Sequence, residues 1–247
     1  MDYDFLDKKP LNQLLEIAED LEIKSYDSKK DLISKILKCF LDFEKYQKKT
    51  IQKYTILNQL GNIGKEGITY LVKKNKDKNL YAMKTFNKHK SIKNIQKEAD
   101  LQKKASELCI SPKVFEVDLV NNYIVMEKMD GHLTDIMKKQ NGDLTELQQK
   151  QIINLFKKLD EVKVFHGDSN IMNYMFKGQL IYLIDFGMGS EIDEKFKRKV
   201  NSRNPNYELM NLGFILKLKE LKCPPTAYKY LLEHVSKENK IKYGLEE

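Results

Sequence analysis

Five polar residues lie in an order and at spacings that could move a phosphoryl group: Lys84, Glu98, Asp168, Asn173 and Asp185. That chemistry asks a protein mainly for positioning and charge neutralisation. The phosphates need a cation and backbone donors, magnesium needs oxygen ligands, and the attacking hydroxyl needs a carboxylate beside it. Lys84 lies in YAMKTF, which reads as a strand, and Glu98 falls beside Ile95 and Ala99 on the inward stripe of the next helix. In HGDSNIMN, Asp168 and Asn173 are five residues apart, and Asp185 follows the apolar run of YLIDFG. A carboxylate at the end of a buried strand needs a partner, because burying it alone is costly, and magnesium is a natural one. Upstream, LGNIGKEGITYLV sets Gly61, Asn62, Gly64 and Gly67 between two strands. Glycines there let backbone N–H groups approach phosphates, although a glycine-rich hairpin turn is the ordinary alternative. A strand lysine, a helix glutamate or a lone Asp-Phe-Gly is unremarkable by itself; the ordered set is not.

The elements that must hold these residues follow from periodicity. YTILNQLG, GITYLVKKN and LYAMKTF read as strands, as do KVFEVDLV and YIVMEKM around Asn121 and Asn122. One helix interrupts them, with Ile92, Ile95, Ala99 and Leu108 on its apolar stripe. From residue 130 onward the pattern is mainly helical, with Ile152, Leu155, Phe156 and Leu159 marking a long amphipathic helix before the HGD stretch. At the N-terminus, Leu11, Leu14, Leu15, Ala18 and Leu21 share one helical face. A second helix starts at SKKDLISKILKCF, where Ser28 and Asp31 have capping-box spacing and Leu32, Ile33, Ile36 and Leu37 form the apolar face. The expected fold is α+β and two-lobed. A small two-helix module (1–41) and a linker (42–53) precede a main domain (54–247). That domain has a five-stranded antiparallel sheet plus one helix over 54–129 and a reduced helical part over 130–247.

Over roughly residues 54 to 220 this arrangement resembles the eukaryotic-type protein kinase superfamily. The resemblance implies that Lys84 binds the nucleotide phosphates and pairs with Glu98, that Asp168 orients the attacking hydroxyl and accepts its proton, and that Asn173 and Asp185 hold Mg2+. It also implies that Glu127 and Met129 meet adenine through backbone groups, that Met126 lines the back of that pocket, and that His166 packs and hydrogen-bonds. The cofactors implied are ATP and Mg2+. HGD resembles the loop of aminoglycoside phosphotransferases and of the small atypical kinase of the KEOPS complex, which acts with tRNA-modification machinery. Composition and arrangement look like kinase-like proteins of large DNA viruses. Residues 1–41 resemble the SAP and Rho N-terminal modules, which commonly bind nucleic acid; Lys29 and Lys30 would stand at a helix N-terminus, where the dipole also favours phosphate.

Several departures bear on function. Gly167 replaces the arginine that pairs with a phosphorylated activation loop, so control through that arginine is not expected. Asn170 replaces a lysine that touches the transferred phosphate, and Asn62 replaces the first glycine of the loop. Only about twenty residues separate Asp185 from the next helical stripe, YELMNLGFILKLKEL, with no Ala-Pro-Glu motif between. In that stripe Leu209, Leu212 and Leu216 point inward, and Glu208 stands where the family often braces its catalytic loop with an aspartate.

The net charge is +8, and residues 1–53 are neutral by count, with eleven Lys against eleven Asp or Glu. The whole excess therefore lies in residues 54–247. Part of it sits in KFKRKVNSRNP, where Lys195, Lys197, Arg198, Lys199 and Arg203 suit either a solvated loop or an anionic partner. Protein is the expected substrate, with nucleic acid or nucleoprotein as candidate partners of residues 1–41 or 195–203. No apolar run is long enough to span a membrane. Three scattered cysteines and a polar N-terminus fit an intracellular protein. The function expected is an ATP- and Mg-dependent atypical serine/threonine kinase that also modifies itself. The alternatives are a small-molecule phosphotransferase and a kinase-fold scaffold that has lost catalysis.

Overall fold

The computed structural model describes residues 3–21, 23–50, 53–61, 66–75 and 77–245, with backbone only at 20 and 40–50. The chain divides into two compact units, Met1–Lys90 with Val120–Asn122, and Ser91–Leu119 with Tyr123–Glu247. The division falls after Lys90, whereas the sequence pattern suggested Met129.

The first unit begins with helices α1 (Tyr3–Asp7), α2 (Leu11–Asp20) and α3 (Lys29–Thr50). Leu6, Leu14, Ala18, Leu32, Ile33 and Ile36 bury one another in a small core of their own. Among the described residues the module thus has three helices where two were expected; α1 is too short for its periodicity to register. Leu11, expected inward, is exposed. Residues 42–50, polar enough to be read as helical or linking, continue α3 unbroken. Ser28 caps α3 by accepting from the Asp31 N–H at 3.1 Å, but Asp31 reaches back to the Asp27 N–H rather than closing the box on Ser28. Strands β1 (Tyr54–Leu60), β2 (Gly67–Lys74) and β3 (Leu80–Phe86) follow as an antiparallel meander. Gly67 opens β2 opposite Phe86, where a Cβ would stand 1.9 Å from the Thr85 carbonyl oxygen. Only a glycine lets the strands meet there.

The second unit opens with α4 (Ile92–Glu107), capped by Ser91, whose side chain accepts from the Asn94 N–H. Ile95, Glu98 and Ala99 are buried on it, while Ile92, expected on the inward stripe, is exposed. The hairpin β4 (Val114–Asp118) and β5 (Tyr123–Glu127) follows. Hydrogen bonding orders the five strands β1-β2-β3-β5-β4 in the expected antiparallel sheet.

The remainder is less purely helical than its pattern suggested. β6 (Gly131–His132) leads into α5 (Leu133–Lys139) and then α6 (Glu146–Glu161). Thr145 and Gln148 form a capping box at the start of α6, and Ile152, Leu155, Phe156 and Leu159 are buried as expected. After β7 (Val164–Phe165) come β8 (Tyr174–Lys177), β9 (Leu180–Leu183) and β10 (Ser190–Glu191). They make two small sheets, β6-β8-β9 and β10-β7. Runs of two to four residues are too short to show alternation, so their pairing was invisible in the sequence. α7 (Glu194–Val200), α8 (Asn211–Glu220), α9 (Lys229–Glu233) and α10 (Lys237–Lys242) complete the unit. In α8 the fully buried apolar residues are Phe214, Ile215 and Leu218, whereas Leu216 is only partly buried.

Tyr174 sits in this core against Phe156 and Phe214, yet its buried hydroxyl has no hydrogen-bond partner among the described residues. Burial, and then the charge of Asp168, pushes that phenol well above its ordinary range. Leaving a hydroxyl unsatisfied costs about 1–3 kcal/mol. Tyr174→Phe is therefore expected to raise stability by about 1 kcal/mol, read as an upward shift of the denaturant midpoint at constant slope.

Candidate active site

Within the second unit, β7 delivers the chain to His166–Asn170, and a single 3-10 turn, Ile171–Asn173, passes it to β8. Asn170 caps that turn by accepting from the Met172 N–H at 3.0 Å. Asp168 is held at both oxygens. Oδ1 accepts from the Asn170 N–H at 2.9 Å, and Oδ2 accepts from Asn173 Nδ2 at 2.7 Å. An ionised carboxylate can only accept, so the Asn173 atom facing it must be the amino group. The amide oxygen of Asn173 is thereby left for a cation.

Asp185 follows β9. It adopts a left-handed conformation, φ 66° and ψ 73°, and accepts from the Gly187 N–H at 3.4 Å. Asn173 and Asp185 stand at the open end of one hairpin, since Tyr174 pairs with Leu183 and the Ile184 N–H donates to the Asn173 carbonyl at 2.9 Å. A carboxylate oxygen of Glu98 lies within 4.8 Å of one of Asp185. Two carboxylates that close favour a cation near them, and an all-oxygen donor set of this kind suits a hard ion such as magnesium.

His166 is fully buried. Its Nε2 meets the Ile184 carbonyl at 2.9 Å and its Nδ1 the Asp168 carbonyl at 3.1 Å. Its ring packs edge-on against buried Phe186 at 4.8 Å. It ties the loop to the end of β9, in keeping with a packing role. Gly167 has φ +81°, and a Cβ there would stand 2.8 Å from the Met188 carbonyl oxygen. Its backbone conformation and the close pass of the Phe-Gly-Met segment both exclude a side chain.

The brace under the loop corrects one expectation. Glu208 is exposed. The fully buried Asn206 instead accepts from the His166 N–H at 3.1 Å and donates to the Val164 carbonyl at 2.8 Å. Asn206 is in turn held by Asp160, whose Oδ1 accepts from Nδ2 at 2.8 Å and from the Asn206 N–H at 3.0 Å, while Oδ2 accepts from the Tyr207 N–H. Burial raises Asp160 above its ordinary carboxylate range, against the pull of these donors.

At the end of β5, the Glu127 N–H is taken by the Lys113 carbonyl at 2.9 Å. What Glu127 can offer a base is therefore its own carbonyl. Met126 is buried, and its sulfur accepts from Gln102; the Met129 carbonyl accepts from Lys128 at 3.3 Å. In the first unit, Lys84 Nζ lies 5.2 Å from the centroid of the Phe86 ring, and Glu66 pairs with Lys90. Gly61 directly follows β1 and Gly67 begins β2, while Asn62 and Gly64 lie outside the described residues.

Residues 54–208 match the protein kinase domain family, more than half of the chain. The chain belongs to that family. Over 100 residues the kinase chain is 31% identical to KEOPS complex subunit Bud32 of Pyrococcus abyssi, a match covering 40% of this chain and 45% of that protein. The chain thus matches less than half the length of this curated relative.

Sequence reasoning missed Asn206 in the kinase site. No helix-start signal could have found it, because its side chain caps nothing in that stripe and bonds instead to His166, Asp160 and Val164. Glu208 drew attention by standing where the family often braces its catalytic loop with an aspartate.

Two histidines of the second unit, the buried His166 and the half-buried His234, give the kinase a pH dependence. Burial lowers both His166 and His234, the latter also through Lys157. Their folded values lie below the unfolded value of about 6.5. Above that pH both states are neutral. As pH falls through it, the unfolded chain takes up protons that the folded chain resists, so stability drops. The unfolding midpoint is expected to be lower at pH 5.5 than at pH 7.5, and His234→Gln should shrink the difference.

Proposed function

We propose that this chain is an ATP- and Mg2+-dependent protein kinase that transfers the γ-phosphate to serine or threonine hydroxyls, its own included. The observation that carries the reading is the lock of Asp168 on Asn173 at the open end of the hairpin that leads to Asp185. It orients an acceptor carboxylate and turns an amide oxygen toward a cation in one arrangement. Asp168 would accept the proton of the attacking hydroxyl. The Glu127 carbonyl and Met129 N–H would fix adenine, and Lys84, oriented by Glu98, would neutralise phosphate charge. Asn173 and Asp185 would hold magnesium, which supplies charge neutralisation for the phosphates when bound.

An anionic partner is supported by α7. It is N-capped by Asp193 and anchored by Phe196, whose ring lies 5.0 Å from that of Phe165. Lys195, Arg198 and Lys199 are exposed on it, and Arg203 is exposed just after it. In the N-terminal module, by contrast, Lys29 is bound to Asp7, and Asp31 occupies the first turn of α3, which disfavours phosphate at that helix end. Nucleic acid or nucleoprotein is therefore assigned to 195–203 in preference to 1–41. The relative named as a subunit of the KEOPS complex suggests that this chain also works with protein partners.

One observation, Gly167 in HGD, favours a small-molecule acceptor as the second reading. The test is transfer of labelled γ-phosphate from Mg-ATP, with a general protein substrate and with the chain alone, with and without a chelator. Chelator-sensitive label on serine or threonine supports the proposal. Label found only on added small hydroxylated molecules favours the second reading, and ATP binding with no transfer favours a scaffold.

A further inference from the structure

The β8–β9 hairpin carries two candidate metal ligands at its open end, and its tip is tied to the segment assigned to adenine. Lys177, the last residue of β8, pairs through Nζ with the Glu127 carboxylate. The other oxygen of that carboxylate accepts from the Lys113 N–H at 3.4 Å. In the turn, the Gly178 N–H donates to Asp130 Oδ2 at 2.8 Å, and the Asp130 N–H donates to the Phe176 carbonyl at 2.8 Å. The outer edge is held as well, because Gln151 donates to the Gln179 carbonyl and accepts from the Ile181 N–H, each at 3.0 Å. A four-residue two-stranded ribbon fastened at its tip moves as one piece. A shift of residues 127–130 is therefore carried to Asn173 and Asp185.

We propose that this hairpin couples base recognition to the placement of the metal ligands, with Lys177 as the positioning residue. The proposal rests on the ATP and magnesium reading above. Lys177 touches neither base nor metal; it acts through Glu127. The pair is partly exposed, with side chains 45% and 28% accessible, so its coupling is modest, about two- to fivefold in an equilibrium. The Asp130–Gly178 bond adds to it.

The experiment measures Mg2+ half-saturation at saturating ATP, and ATP affinity at saturating Mg2+, by calorimetry and by initial rates. It uses the full chain with Lys177→Ala, Lys177→Arg and the reversed pair Glu127→Lys with Lys177→Glu. Expected for Lys177→Ala is a rise of about two- to fivefold in both the Mg2+ half-saturation and the ATP dissociation constant, with Lys177→Arg near wild type and the reversed pair partly restored. A change in ATP affinity with an unchanged Mg2+ requirement would overturn the coupling and leave a local brace. Equal Mg2+ and ATP behaviour in a folded Lys177→Ala protein would overturn it entirely. Should Lys177→Ala not fold, a folded reversed pair whose ATP affinity is weakened while its Mg2+ requirement equals that of wild type overturns the coupling in its place. Failure of the wild type to bind Mg-ATP would remove the functional reading itself, an outcome distinct from any difference among variants.

Discussion

Asp168→Asn is expected to slow phosphoryl transfer about 10²- to 10⁴-fold, the range for loss of a positioned general base, and to raise the Mg2+ requirement at the same time. The second effect follows from geometry. Both oxygens of Asp168 accept N–H bonds, one from the Asn170 backbone and one from the Asn173 side chain. An asparagine offers one oxygen and one amino group. The Asn170 N–H is fixed by the chain and keeps the oxygen, so the new amino group faces the Asn173 amino group. Two donors cannot face each other, and Asn173 must turn its amide over, withdrawing the oxygen proposed to meet the cation. Single-turnover rates across a Mg2+ titration would separate the two effects. A rate loss with an unaltered Mg2+ midpoint would show that Asn173 is not a metal ligand.

Gly167→Arg, which restores the residue most protein kinases carry there, is expected to weaken the fold by about 2–3 kcal/mol, the order of a residue held in a disfavoured backbone region against a close contact. The left-handed φ and the Met188 carbonyl 2.8 Å from a Cβ both oppose it. Because the obstacle is the Cβ, Gly167→Ala should show most of the loss, read from denaturant midpoints. Transfer should also fall, since relieving the clash pushes the Phe186–Ser190 segment away from the loop and strains the Phe165–Ser190 pairing. An alanine variant as stable as wild type would remove the steric account. The physical content of HGD is then a fit between two backbones, in addition to a missing charge.

The strands of the sheet and the helices α4 and α6 were legible because each is long enough to display its period, and the dispersed set Asp168, Asn173 and Asp185 because its residue types have few joint uses. Three things were not. The strands β6, β7 and β10 have two residues each and no periodicity at all. The reach of α3 through residues 42–50 was obscured by polar composition, which does not distinguish a solvated helix from a linker. Asn206 was overlooked because an uncharged amide attracts no notice until its three hydrogen bonds are seen to converge on Asp160, Val164 and His166. The family pattern pointed instead to Glu208, two residues away, which is exposed.

Asn170 has a consequence for how such a site can change over time. Its side-chain oxygen caps the turn on which Asn173 stands. A lysine at that position would bring a cation toward the phosphates but would leave the Met172 N–H uncapped and loosen Asn173. The two demands meet on one residue, so a lineage cannot regain the charge in a single step without weakening the metal side of the site. A compensating donor or cap must come first. Cationic help is therefore more readily recruited from a different element than restored at 170, and the exposed Lys195, Arg198, Lys199 and Arg203 form a cluster a short way after Asp185 in sequence.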